Sequence, residues 1–272
     1  MLGSVDSCVL AGLEVRPVRV EADIGRGGDV KFSLVGLAAT TVKEARERVR
    51  SAIRNSGLEF PRTRLTVNLA PAELRKDGTG LDVPIAVAIA LAFANRKAPP
   101  HSAFLGELAL DGSVRHVNGV LVAARGLRAL GYTQLFVPSA DAAEATLVDG
   151  LEVIPCPTLD ALVKHLLGAE PIPAAIHRND PESQTIVIES DLAEIQGQEE
   201  AKRALEVAAA GGHHILFSGP PGTGKTMLAR CLPGILPPLA MIEALELAQI
   251  RSLRGELPLD GPLDWARPFR AP

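Results

Sequence analysis

The sequence predicts an α/β protein of two domains, and three observations carry that reading. Through the first 167 residues, short β-branched or alternating apolar runs take turns with stretches of helical periodicity. Residues 168–184 interrupt this pattern with Pro171, Pro173 and Pro181 among small and polar residues, the composition of a connector. Beyond it, Gly219-Pro220-Pro221-Gly222-Thr223-Gly224-Lys225-Thr226 fills every fixed position of G-x-x-x-x-G-K-[ST], between the apolar run 214–218 and a helical pattern from Met227.

Composition bounds the alternatives. A chain of 272 residues with 47% hydrophobic and 22% charged residues suits a globular protein with a sizeable core. A net charge of −4 gives no global pull toward nucleic acid or membrane, so such a partner must be met by a local patch. Cys8, Cys156 and Cys231 have no paired spacing, which argues against a disulfide scaffold or zinc site. No basic segment leads an apolar run at the N-terminus, and the longest apolar run, 83–94, is 12 residues with Pro84 inside it. A span needs about 20. The expectation is a cytoplasmic protein with no membrane partner.

In chain order, residues 15–24 read as a strand and 32–35 as its partner across the Gly-rich loop 25–29. The next segment is helical: Thr41 and Glu44 match a capping box, Val42, Ala45, Val49, Ala52 and Ile53 share a face, and Gly57 ends it. Its other face carries Lys43, Arg46, Arg48, Arg50 and Arg54, with Glu44 four residues before Arg48. That face suits either solvent or phosphates. A strand at 64–70, a turn at 76–80 and an apolar helix at 84–95 follow. Residues 103–110 and 113–117 read as strands joined by Asp111-Gly112, a pair favoured in type I′ hairpins. Helices at 120–130, 140–148 and 159–167 alternate with strands at 134–138 and 152–154. After the connector come a short strand at 186–188, a helix at 198–210, the glycine loop, a helix broken at Pro233 and a helix at 240–249.

The glycine loop has a chemical reading. Glycines at 219, 222 and 224 let backbone N–H groups approach phosphate oxygens. Lys225 reaches the β- and γ-phosphates, Thr226 offers its hydroxyl to Mg²⁺, and the helix N-terminus faces the anion. ATP with Mg²⁺ is the expected ligand.

Further motifs surround that loop: Ile195-Gln196-Gly197-Gln198, Ala201-Lys202-Arg203-Ala204-Leu205, Leu232-Pro233-Gly234-Ile235-Leu236-Pro237-Pro238 and Arg267-Pro268-Phe269-Arg270-Ala271-Pro272. Together with Val35-Gly36-Leu37, Lys43 to Ile53 and Asn68-Leu69-Ala70-Pro71-Ala72 in the first half, they resemble the ComM/YifB family, in the magnesium-chelatase-like branch of the AAA+ ATPases. The resemblance covers essentially the whole chain. It implies a Lon-protease-like domain of the ribosomal-S5-domain-2-like fold over 1–167, a linker over 168–184 and the first part of an AAA+ domain over 185–272. It also implies that Ile195 and Gly197 border the adenine, and that the full-length protein is a hexamer moving branched or single-stranded DNA in recombination and natural transformation. At the two positions where the protease needs serine and lysine, this chain has Gly80 and Leu121, so no catalytic residue is expected there. No apolar strand ending in Asp-Glu follows residue 226, so Walker B, the sensors and the arginine finger are expected to be missing from a truncated chain. Such a chain would bind ATP weakly or not at all and hydrolyse it poorly. A chelatase motor subunit and a non-catalytic interaction module are the competing readings.

Overall fold

The computed structural model describes the chain except for residues 26, 28, 29, 37–39, 77, 177–189, 259–262, 271 and 272. It comprises two units: Met1–Arg178 with Gln249–Gly261, and Asn179–Ala248 with Pro262–Pro272. The first therefore extends past residue 167. Within the expected connector, the Ala175 amide donates to the Val153 carbonyl at 2.8 Å, and Ile172 N–H donates to His165 Nδ1. The expected strand 186–188 and residues 177–184 of the connector lie outside the described residues.

The first unit is built on a seven-stranded mixed sheet. Strands β1 (Leu2–Ala11) and β2 (Glu14–Ile24) pair antiparallel from Leu2↔Asp23 to Ala11↔Glu14. Gly12, at φ +61°, and Leu13 make the tight turn between them. Sheet order is β3-β4-β2-β1-β5-β8-β9, with β3 Phe32–Val35, β4 Leu65–Ala70, β5 Ser102–Phe104, β8 Gln134–Pro138 and β9 Glu152–Cys156. The expected pairing of β2 with β3 is not formed. β4 lies between them, parallel to β3 in the register Phe32↔Leu65, because the intervening helix α1 (Thr40–Asn55) supplies the crossover that parallel strands require.

Helices cover the sheet according to its pleat. Val67, Leu69, Val20 and Ala22 face α1 and α2 (Asp82–Ala94), while Arg19, Glu21, Thr66 and Asn68 point the other way. Beyond Asp82 in its first turn, helix α2 is apolar on all sides, and it packs among β1, β2 and α1. Its approach to β1 depends on Gly3, where an added Cβ would sit 2.3 Å from the Ala88 carbonyl oxygen. The parallel strands β5, β8 and β9 are buried on both faces: Phe104, Phe136 and Ile154 join the core with α5 (Leu159–Leu166). Ala103, Leu135 and Val153 meet α3 (Val120–Ala129) and α4 (Ala142–Ala145).

Three local expectations change. Strand 103–110 breaks at Gly106, so β6 (Glu107–Leu108) pairs with β7 (Val114–Arg115) as a separate hairpin. Five residues join them, and a bond from the Ala109 amide to the Ser113 carbonyl at 3.0 Å leaves Leu110-Asp111-Gly112 at the tip rather than an Asp-Gly type I′ turn. Asp111 Oδ1 accepts from both the amide and the hydroxyl of Ser113, and Gly112 adopts φ +88°. Residues 139–148 form one 3-10 turn, Ser139–Asp141, and the single turn of α4, because the Asp141 carboxylate serves the amide of Val117 instead of capping its own helix.

The second unit contains α6 (Glu199–Gly211), α7 (Lys225–Ile235) and the part of α8 (Met241–Arg254) up to Ala248. Helix α6 ends where Gly212 turns to φ +64° and the His213 amide returns to the Ala208 carbonyl. Helix α7 runs through Pro233 instead of breaking there. Residues 214–218 are not a strand: among the described residues nothing pairs with them, and Leu216 is 91% exposed. A strand exists only through its ladder partners.

Candidate nucleotide-binding site

The chain takes two left-handed backbone positions on its way from residue 218 into α7. Gly222 and Gly224 take φ +84° and +78°, which side chains with a Cβ rarely adopt, and the space beside each is open. Gly224 is the N-cap of α7, so the first amides of that helix lack intrahelical partners and face outward. The helix is anchored behind the loop by Leu228 and Cys231, both buried.

Lys225 folds back over the loop. Its ammonium donates to the Gly219 carbonyl at 2.9 Å, the Pro220 carbonyl at 2.6 Å and the Thr223 hydroxyl at 3.3 Å. The Thr223 hydroxyl also donates to the Pro220 carbonyl at 3.0 Å, which closes the turn over Pro220 and Pro221. Thr226 stands exposed in the first turn of α7. The loop thus gathers a cation, open amides, a helix N-terminus and a hydroxyl, with no carboxylate bonded to them among the described residues. Such a set attracts an anion.

The structure also brings the 195–198 segment to this loop. Ile195 is half-buried, Gly197 turns at φ +69°, and Gln198 Nε2 donates to the Thr223 carbonyl at 3.0 Å. The resemblance implies that Ile195 and Gly197 border the adenine, while the hydrogen bond to the loop is made by Gln198, which sequence reasoning does not single out.

In the first unit, Gly80 lines a cavity of about 460 Å³ together with Thr79, Glu107, His116, Asn118 and Leu253. Leu121 is fully buried, its amide donating to Glu144 Oε1 at 2.5 Å. Lys76 does not line the cavity; its ammonium is held by the Pro71 carbonyl. No serine or lysine is therefore presented at the two positions in question. The polar cluster beside the cavity leaves no local signal in the sequence, because its members are spread from residue 116 to residue 252. His116 bonds the buried Asp141 through Nδ1 and Asn118 through Nε2, and Glu144 also accepts from the Ser252 hydroxyl at 2.5 Å. Burial alone would lower the His116 pKa, but the Asp141 hydrogen bond and charge outweigh it and the net shift is upward. Burial raises both Asp141 and Glu144.

Two family profiles match the chain: "Subunit ChlI of Mg-chelatase" over residues 20–141 and "Magnesium chelatase, subunit ChlI" over residues 191–272. Uncharacterized protein Rv2897c of Mycobacterium tuberculosis is 43% identical over 277 residues, covering all of this chain and 54% of that protein. YifB of Escherichia coli is 40% identical over 275 residues, and the competence protein ComM of Haemophilus influenzae 42% over 286. Each alignment takes in 100% of this chain and 53% of the relative. The chain spans about half the length of the curated relatives it matches. With both profiles falling on this architecture and the similarity running from end to end, the chain belongs to the ComM/YifB family of magnesium-chelatase-like AAA+ proteins.

Proposed function

We propose that residues 219–226 bind a nucleoside triphosphate with Mg²⁺, and that in the longer protein this site drives movement of branched DNA during recombination. The observation that carries the reading is the loop itself. Its ammonium folds back over the loop, and its partners among the described residues are carbonyl and hydroxyl oxygens that a phosphate can replace. Gly222, Gly224 and the first amides of α7 would hold the phosphates, Lys225 would neutralise their charge, and Thr226 would offer its hydroxyl to Mg²⁺. Ile195 and Gly197 would border the base. Bound ATP would supply the energy of phosphoanhydride cleavage. This chain's residues bind and orient it, and no segment after residue 226 matches the Asp-Glu strand that polarises water, so the 272 residues alone hydrolyse it poorly. The first unit, with Gly80 and Leu121 at the two positions in question, acts as a scaffold and not as a peptidase.

The DNA part rests on the family resemblance and on a relative named for competence. The test is the endogenous gene product, captured with an antibody to the first unit and assayed on a synthetic four-way DNA junction. ATP-dependent branch movement that is lost in a Lys225→Ala strain supports the reading. ATP-dependent stimulation of porphyrin metallation, with no effect on the junction, would overturn it.

A further inference from the structure

The sequence carries a run of cations that the nucleotide site does not use. Between residues 48 and 64 there are five arginines and one carboxylate, Glu59. The structure takes one arginine out of play: Arg48 turns inward and grips the buried Asp82 through Nε at 2.7 Å and Nη2 at 3.0 Å. Arg46 is also engaged, bonding Glu47 at 3.2 Å. The remaining cations gather at one corner of the first unit, where the end of α1 meets the loop into β4.

The corner is organised by Phe60. The guanidinium carbons of Arg50 and Arg54, one helical turn apart on α1, each lie 5.8 Å from the Phe60 ring centroid. Phe32, at the start of edge strand β3, braces the same ring at 5.8 Å with a 53° tilt. Lys31 is exposed next to Phe32, and Arg62 and Arg64 are exposed on the loop that carries Phe60. Backbone bonds from Leu65 N–H to the Lys31 carbonyl and from Gly25 N–H to the Arg64 carbonyl, both 2.8 Å, fix this loop against the sheet.

A second observation falls at the same corner. Among the described residues, two buried side-chain polar atoms have no hydrogen-bond partner: Arg50 Nε and Thr63 Oγ1. A buried polar atom with no partner is uncommon, and each one calls for a physical explanation. Both belong to residues flanking Phe60, one on the helix and one on the loop.

We infer that this corner, formed by Arg50, Arg54, Phe60, Arg62 and Thr63, is the surface through which the first unit holds the phosphodiester backbone of duplex DNA. The inference rests on the DNA reading above and assigns a contact surface within it. The Phe60 ring holds both guanidinium groups in place, and their terminal Nη–H groups can fork onto phosphate oxygens. The ring is already covered by guanidinium, so it is not a platform for bases. The contact therefore reads backbone and not sequence.

The test uses the whole 272-residue chain and fluorescence anisotropy of labelled duplexes of two unrelated sequences, titrated across a range of salt concentrations without nucleotide. Wild type binds both duplexes alike. Arg50→Gln with Arg54→Gln weakens binding at least tenfold and lowers the slope of log affinity against log salt by about 1.8, two phosphate contacts at about 0.9 each. Phe60→Leu keeps the charges and hence the slope, but loses affinity severalfold because the guanidinium groups are no longer held in place. Far-UV circular dichroism confirms that each variant is folded. Unchanged affinity and slope in the double variant, with wild type binding DNA, overturns the surface and leaves the DNA reading standing. Absence of binding by wild type overturns both. Full displacement of the duplex by millimolar inorganic phosphate, or equal binding of polyglutamate, also overturns the proposal in favour of a small-anion or acidic-protein site.

Discussion

Removing Arg48 should destabilise the first unit far more than removing any neighbouring arginine, because its partner Asp82 is fully buried. Asp82 accepts two bonds from Arg48, at 2.7 and 3.0 Å, and one long bond from the Leu108 amide at 3.3 Å. In Arg48→Ala the carboxylate keeps only the long bond. Breaking one side of a buried pair typically costs about 3–5 kcal/mol, whereas replacing both partners with neutral groups of similar size is close to neutral. Arg48→Met with Asp82→Asn should therefore recover most of the loss, giving a coupling of roughly 2 kcal/mol or more. The sign of the pH dependence follows from Asp82. Burial raises its pKa above 3.8, with the Arg48 bond opposing that shift. A raised carboxylate contributes stability below its unfolded value that is lost as pH rises through its folded value. Without Arg48 the folded value climbs further, so the variant's deficit is largest at neutral pH and shrinks toward pH 4. Urea unfolding followed by the fluorescence of Tyr132, the single tyrosine and a residue of the first unit, reads this out apart from Trp265 in the second unit. A loss below about 1 kcal/mol in Arg48→Ala at pH 7 would refute the reasoning, since that is the range of an exposed pair.

Other consequences can be checked in the same assay. Gly3→Ala places a methyl 2.3 Å from the Ala88 carbonyl oxygen and 2.6 Å from the Ala92 amide nitrogen, both backbone, and should cost about 1–3 kcal/mol by pushing α2 off β1. Phe136→Ala removes a ring stacked on Phe104 at a centroid distance of 4.4 Å in a fully buried position, and should cost about 3–5 kcal/mol. The raised pKa of His116 makes its bond to Asp141 a stabilising contribution that is complete below about 6.5 and lost as pH rises through the folded value. His116→Gln should flatten stability against pH across that window, and an unchanged profile would show that the pair does not titrate with folding.

Much of the architecture was legible because it depends on local pattern. The spacing of Ala45, Val49, Ala52 and Ile53 marked α1, and Gly57 and Gly131 marked helix ends that adopt φ +72° and +91°. What could not be read depends on long-range pairing. The strand order puts β4 between β2 and β3, although sequence adjacency suggests a hairpin. Strand β1 was missed because Gly3, Ser4, Asp6 and Ser7 dilute its alternation; Ser7 is buried only because its hydroxyl donates to the Phe104 carbonyl at 2.8 Å. The basic face of α1 looked uniform in sequence. Glu44 does act on Arg48 as a nearby charge, but the hydrogen bonds of Arg48 reach Asp82, 34 residues away, and Arg50 and Arg54 meet Phe60 on the next loop. In the second unit the loop motif was plain from spacing alone, whereas the run 214–218 looked like a strand by composition and has no ladder.

The most direct test of the central claim is the binding of a fluorescent ATP analogue to the 272-residue chain, titrated with and without Mg²⁺ and repeated with Lys225→Ala. The account predicts weak, Mg²⁺-dependent binding that the substitution reduces at least tenfold, with no steady release of phosphate from ATP. Equal binding by wild type and Lys225→Ala would contradict the assignment of the phosphate site. A steady hydrolysis rate abolished by that substitution would contradict the claim that these residues bind the nucleotide without completing the chemistry.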